Sequence, residues 1–94
     1  MKVKWTEAAL QQLHEAYDYI QIDKPSAAAR MADLIEGATD PLRLFPQIGR
    51  PSKRPKTHEL AVPGTPFLLV YRVKTDGLEI LALYHGAQNW QKLL

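Results

Sequence analysis

Cysteine is absent from this 94-residue chain. Its absence excludes disulfide cross-links, thiolate nucleophiles and thiolate metal sites, and leaves stability to packing alone. No apolar run approaches the roughly 18 residues that a membrane span requires. Met1-Lys2-Val3-Lys4 passes straight into an amphipathic pattern with no signal-peptide core. A cytoplasmic protein with no membrane partner is therefore expected. There is no glycine-rich phosphate loop, no Gly-X-Ser-X-Gly elbow and no closely spaced carboxylate pair in a predicted cleft. The three histidines, His14, His58 and His85, are scattered without metal-ligand spacing, so neither a metal nor a cofactor is expected.

What is present suits one globular domain over residues 1–94, with 46% hydrophobic and 23% charged residues. The net charge of +2 conceals a split along the chain. From Trp5 to Leu42, seven carboxylates stand against Lys24 and Arg30; from Arg43 to Lys74, seven cations stand against Glu59 alone. Such asymmetry points to an acidic or polyanionic partner on the basic side.

Lys2 to Trp5 alternates polar and apolar like a short strand, and Thr6 offers a hydroxyl cap for a helix starting at Glu7. Leu10, Leu13, Tyr17 and Ile20 recur at three- and four-residue steps along that helix. Asp23-Lys24-Pro25 interrupts it, and Ser26 is placed to cap a second helix with apolar positions Met31, Leu34, Ile35, Ala38 and Leu42. Pro41 ends or kinks this helix near Thr39. Residues 46–56, rich in proline and cations, read as a loop. Strands are expected at His58–Val62, Phe67–Val73 and Glu79–His85, the last two joined by an Asp76-Gly77 turn. That turn pairs Val73 with Ile80, Tyr71 with Ala82 and Leu69 with Tyr84, on a helix-packed face completed by Phe67. Leu68, Val70, Arg72, Leu81, Leu83 and His85 then share the other face. The fold class is α+β, order β-α-α-β-β-β, a helical hairpin on one face of a small antiparallel sheet.

The segment Arg50 to His58 sets Arg50, Lys53, Arg54, Lys56 and His58 on a proline-stiffened loop suited to phosphates or carboxylates. No aromatic interleaves it, which argues against a single-strand stacking platform. Arg72 and His85 are candidates for anion stabilisation and proton transfer, although about 13 Å of strand separates them.

Trp5-Thr6-Glu7-Ala8-Ala9-Leu10, Tyr17-Asp18-Tyr19-Ile20, Pro46-Gln47-Ile48-Gly49-Arg50-Pro51, Val70-Tyr71-Arg72-Val73 and Ile80 to Trp90 together resemble the RelE/ParE superfamily of toxins from bacterial type II toxin–antitoxin modules. The resemblance runs nearly end to end. It implies a growth-inhibiting toxin of a plasmid-stabilisation type system, neutralised by an antitoxin whose acidic C-terminal segment wraps its groove and basic surface. Operator DNA would be reached only through that antitoxin. RelE-like members cleave mRNA on the ribosome; ParE-like members poison DNA gyrase. The RelE-like arginine before Leu-Val-Tyr is replaced here by Leu68, and Gly86-Ala87-Gln88 stands where a basic or aromatic catalytic group is usual. The resemblance therefore favours the gyrase-directed type. A ribosome-dependent endoribonuclease would have to use Arg54, Lys56, His58, Arg72 and His85. Antitoxin or target contacts are expected at Arg50, Lys53, Arg54, Lys56, Leu68, Arg72, His85, Gln88 and Trp90.

Overall fold

The computed structural model describes residues 1–86. Strand β1 (Lys2–Trp5) leads into helices α1 (Glu7–Asp23) and α2 (Pro25–Thr39) and a 3-10 turn at Pro41–Arg43. Four strands follow: β2 (Arg50–Pro51), β3 (Thr57–Ala61), β4 (Phe67–Lys74) and β5 (Gly77–His85).

Thr6 caps α1 as expected, its hydroxyl accepting from the Ala9 N–H at 3.2 Å. The same oxygen lies 3.0 Å from the Ile80 carbonyl, so the cap also fastens the helix start to β5. Ser26 does not cap α2. The helix begins one residue earlier, at Pro25, with no side-chain cap bond; proline suits the first turn because its missing N–H would be unpartnered there anyway. Pro41 does end α2, and the short 3-10 turn continues from it.

The five strands run in the order β1-β5-β4-β3-β2. The sheet is mixed rather than purely antiparallel, since β1 pairs with β5 in parallel. A parallel neighbour needs a long return connection, and the two helices with three intervening strands supply it. The stretch expected to be loop also contributes β2, a two-residue edge strand against His58 and Glu59. An edge position tolerates Pro51, which has no N–H to give to a ladder.

The β4–β5 hairpin turns one residue earlier than expected. Lys74 pairs with Gly77, so Thr75 and Asp76 form the turn. Gly77 serves a close approach instead: a Cβ there would sit 2.9 Å from the Lys2 carbonyl oxygen of β1. Arg72 then faces Glu79, not Leu81. Farther along, the register slips between Tyr71, paired with Ile80, and Val70, paired with Ala82, leaving Leu81 as a bulged residue. One extra residue reverses the facing of everything beyond it. Leu83 joins the helix-packed core with Leu69, Tyr71, Leu78 and Ile80, while Ala82 and Tyr84 turn to the opposite face beside Val70 and Leu68. Ala82 and Tyr84 were expected in the core, and Leu83 outside it.

Helices α1 and α2 cover one face through Ala9, Met31, Ile35 and, just beyond α2, Leu42. Beyond Ile80 the outer edge of β5 has no strand neighbour among the described residues, and Gln12 of α1 accepts the Leu83 N–H at 2.9 Å. No helix among the described residues is long and apolar enough to cross a membrane.

Candidate functional site: the basic end of the sheet

The charge split along the chain becomes a split between layers. The helices with the 3-10 turn and its flank carry seven carboxylates against Lys24, Arg30 and Arg43. The strands and their loops carry eight cations against Glu59, Asp76 and Glu79. Within the sheet layer the cations gather at the end where β4 finishes and β5 begins. Three segments meet there: β1 with Lys2 and Lys4, the end of β4 with Arg72 and Lys74, and the β2–β3 loop with Lys53, Arg54 and Lys56.

Each segment is positioned by its local chemistry. In β1, Val3 and Trp5 pack on the core, so alternation turns Lys2 and Lys4 to the face away from the helices. Lys2, Lys4, Lys74, Asp76 and Glu79 line a hollow of about 180 Å³ there. Arg72 donates to Glu79 at 2.7 Å, with Lys74 at 3.7 Å from the same carboxylate. That hydrogen bond, helped by both positive charges, holds the Glu79 carboxyl below the usual range. In the loop, the Thr57 hydroxyl lies 2.8 Å from the Arg54 carbonyl and 2.9 Å from the Ser52 hydroxyl, which also accepts the Arg54 N–H. Lys56 takes a left-handed φ of 63° to close this turn. Lys53, Arg54 and Lys56 are exposed as a result.

The candidates of the proline-rich segment do not act as one group. Arg50 is committed to a 2.6 Å salt bridge with the buried Glu59. His58 faces the helix side, its ring stacked on Tyr71 at 5.2 Å and its Nδ1 buried without a hydrogen-bond partner. Tyr71 reaches farther: its hydroxyl donates to the Pro46 carbonyl and accepts the Gly49 N–H, each at 2.8 Å. This latch holds the chain that leads into β2. Burial pushes the Tyr71 hydroxyl above its ordinary pKa, against the opposing influence of the Gly49 N–H.

His85 is remote from Arg72. Its ladder partner Phe67 lies five residues along β4 from Arg72, which is about 17 Å at the usual rise. The bulge also places His85 on the helix side, where it meets Phe67 edge-on with ring centroids 6.0 Å apart. There it borders an apolar hollow of about 400 Å³ with Tyr19, Ile20, Met31, Leu34 and Arg30. Leu68 packs with Val70, Ala82 and Tyr84 on the open face. Gln88 and Trp90 lie outside the described residues. The five-residue nuclease set is thus distributed: Arg54, Lys56 and Arg72 at the basic end, His58 on the helix side, His85 at the far end. The reading by loop composition missed Lys2, Lys4 and Lys74. The alternation of Lys2-Val3-Lys4-Trp5 carried that signal.

A family model described as the ParE toxin of the type II toxin–antitoxin system, parDE, matches residues 3–90. The chain is 39% identical over 93 residues to the putative toxin Y4kP of Sinorhizobium fredii, covering 99% of this chain and 96% of that one. It is 33% identical over 87 residues to toxin RelE2 of Caulobacter vibrioides, covering 93% and 97%. Among solved structures, the chromosomal ParDE system of P. aeruginosa matches with TM-score 0.82 and 30% identity over 90% of this chain and 95% of that one. The RelBE2 toxin–antitoxin complex of Mycobacterium tuberculosis matches with TM-score 0.61 and 26% identity, covering 89% and 95%. Fold and sequence agree that this chain belongs to the ParE toxin family and is a type II toxin of the RelE/ParE superfamily.

Proposed function

We propose that this toxin acts in the cytoplasm by poisoning DNA gyrase, and that a cognate antitoxin silences it by laying an acidic segment across the basic end of the sheet. The observation that carries the reading is the dispersal of the would-be nuclease residues. Phosphodiester cleavage by a 2′-hydroxyl needs a base, an acid and charge stabilisation around one phosphate. Here the cations cluster while His58 and His85 stand on the other side of the sheet, His85 about 17 Å along it. A toxin that works by binding requires no such constellation. Membership of the ParE family supports the same choice, and the ParDE match supports an antitoxin partner.

The test is to assay gyrase supercoiling and ribosome-dependent mRNA cleavage side by side with one preparation. Inhibition of supercoiling with intact mRNA is expected. Gyrase fully active at saturating toxin, with codon-positioned cuts in mRNA, refutes the reading in favour of the RelE-like activity. For the antitoxin, Lys53→Ala, Arg54→Ala and Lys56→Ala together should weaken the complex more at low salt than at high salt. Arg50 is left out because it is salt-bridged to the buried Glu59, so its loss would also perturb packing. Equal loss at every ionic strength would point to packing instead of charge.

A further inference from the structure

We propose that the basic end of the sheet holds the phosphate backbone of duplex DNA. Seven cations from β1, β4 and the β2–β3 loop meet there, and among the described residues only Asp76 and Glu79 stand with them as carboxylates. Glu79 is already engaged by Arg72 and Lys74. Lys2 and Lys4 and the three loop cations form no salt bridge among the described residues, so their charge is available.

The chemistry suits a phosphate backbone, with which the antitoxin's acidic segment would compete for the same cations. Five of the seven cations are lysines, point charges on flexible stems that suit phosphate oxygens without demanding a fixed fork geometry. The hollow among Lys2, Lys4 and Lys74 is walled by charged side chains, Gly77 and Leu78, with no aromatic among its described lining residues, so recognition there runs on charge rather than on a packed apolar anchor. The lack of aromatics there also disfavours single strands, which bind by stacking. From β1 to β3 the surface spans three strand spacings, about 14 Å. Over that length a duplex presents about eight phosphate charges, close to the number of cations. Backbone contact carries no sequence preference, so operator reading stays with the antitoxin. The inference extends the gyrase reading, since gyrase handles duplex DNA, but its test needs no gyrase.

The experiment is fluorescence anisotropy of the full chain with a labelled mixed-sequence duplex of about 20 base pairs, from 50 to 200 mM salt. Log affinity should fall against log salt with a slope of about 5 to 6. The combined variant Lys2→Ala, Lys4→Ala, Lys74→Ala, its folding checked by a matched thermal melt, should lower that slope by about 2 to 3. Lys24→Ala, at the distant tip of the helical hairpin, should leave it unchanged. Absence of binding at 50 mM salt, or a slope indifferent to the triple variant, overturns the proposal. So does competition by polyglutamate as effective, charge for charge, as that by duplex. Supercoiling assays on the same samples separate the two readings. Wild-type toxin that binds duplex as described but spares gyrase sustains this inference and removes the gyrase reading. A triple variant that poisons gyrase normally with unchanged duplex binding does the reverse.

Discussion

Replacing Tyr71 with phenylalanine removes one oxygen and leaves two backbone groups without their partner. The Gly49 N–H and the Pro46 carbonyl each meet the Tyr71 hydroxyl at 2.8 Å, and Tyr71 and Gly49 are buried. A buried backbone group left unpaired costs about 1–3 kcal/mol. Pro46 is only half-buried, so water recovers part of its share, and the expected loss is roughly 2–3 kcal/mol. For a domain of this length that lowers Tm by roughly 10–20 °C. Urea unfolding followed by circular dichroism gives the free energy directly. Titration adds a second signature. Burial keeps the Tyr71 proton bound at pH values where an unfolded tyrosine has begun to lose it. Above about pH 10 the unfolded state thus binds fewer protons than the folded one, and stability falls as pH rises. The latch contribution is complete below that pH and lost above it, and Tyr71→Phe should flatten this alkaline decline. A variant within 0.5 kcal/mol of wild type, or with an unchanged alkaline slope, would refute the latch.

Gly49→Ala should also destabilise, because its Cβ would fall 2.5 Å from the Tyr71 hydroxyl and 2.9 Å from the Glu59 carbonyl oxygen. A double-mutant cycle with Tyr71→Phe should be clearly non-additive, since both changes break one latch. Thr6→Ala is expected to cost about 1 kcal/mol through loss of the α1 cap, with Thr6→Ser retaining most of it; a melt shows the difference. Glu79→Gln should tighten anion binding at the basic end by removing the carboxylate that Arg72 and Lys74 share, read as a lower Kd for duplex at fixed salt. Because those cations hold Glu79 below its usual pKa, their pairing is intact above the ordinary carboxylate range and lost as pH falls through the lowered value. The difference between wild type and Glu79→Gln should shrink accordingly in acid.

The helices were legible because Leu13, Tyr17 and Ile20, then Met31, Leu34 and Ile35, repeat with the helical period and face one core. The strands were legible from β-branched and aromatic runs. The Leu81 bulge was not: Ile80 to Tyr84 reads as unbroken apolar sequence, and neither face of it carries enough polarity to reveal a slip. That single residue decided the facing of Ala82, Leu83, Tyr84 and His85, while the earlier turn set the distance between His85 and Arg72. The parallel partner of β1 was equally hidden, since no local pattern records a neighbour more than seventy residues away. The Asp76-Gly77 signal misled because the glycine answers to the Lys2 carbonyl. The loop cations were found by composition, whereas Lys2, Lys4 and Lys74 needed the sheet order to bring them together.

The parallel union of β1 with β5 has a temporal side. Lys2 to Trp5 are synthesised more than seventy residues before their ladder partners, Gly77 to Ile80. Pairings this distant in sequence are slow to form and must wait for translation through β5. Lys2 and Lys4 therefore join Lys74 only once β5 has been made. Until then a nascent chain carries its basic surface in separate pieces.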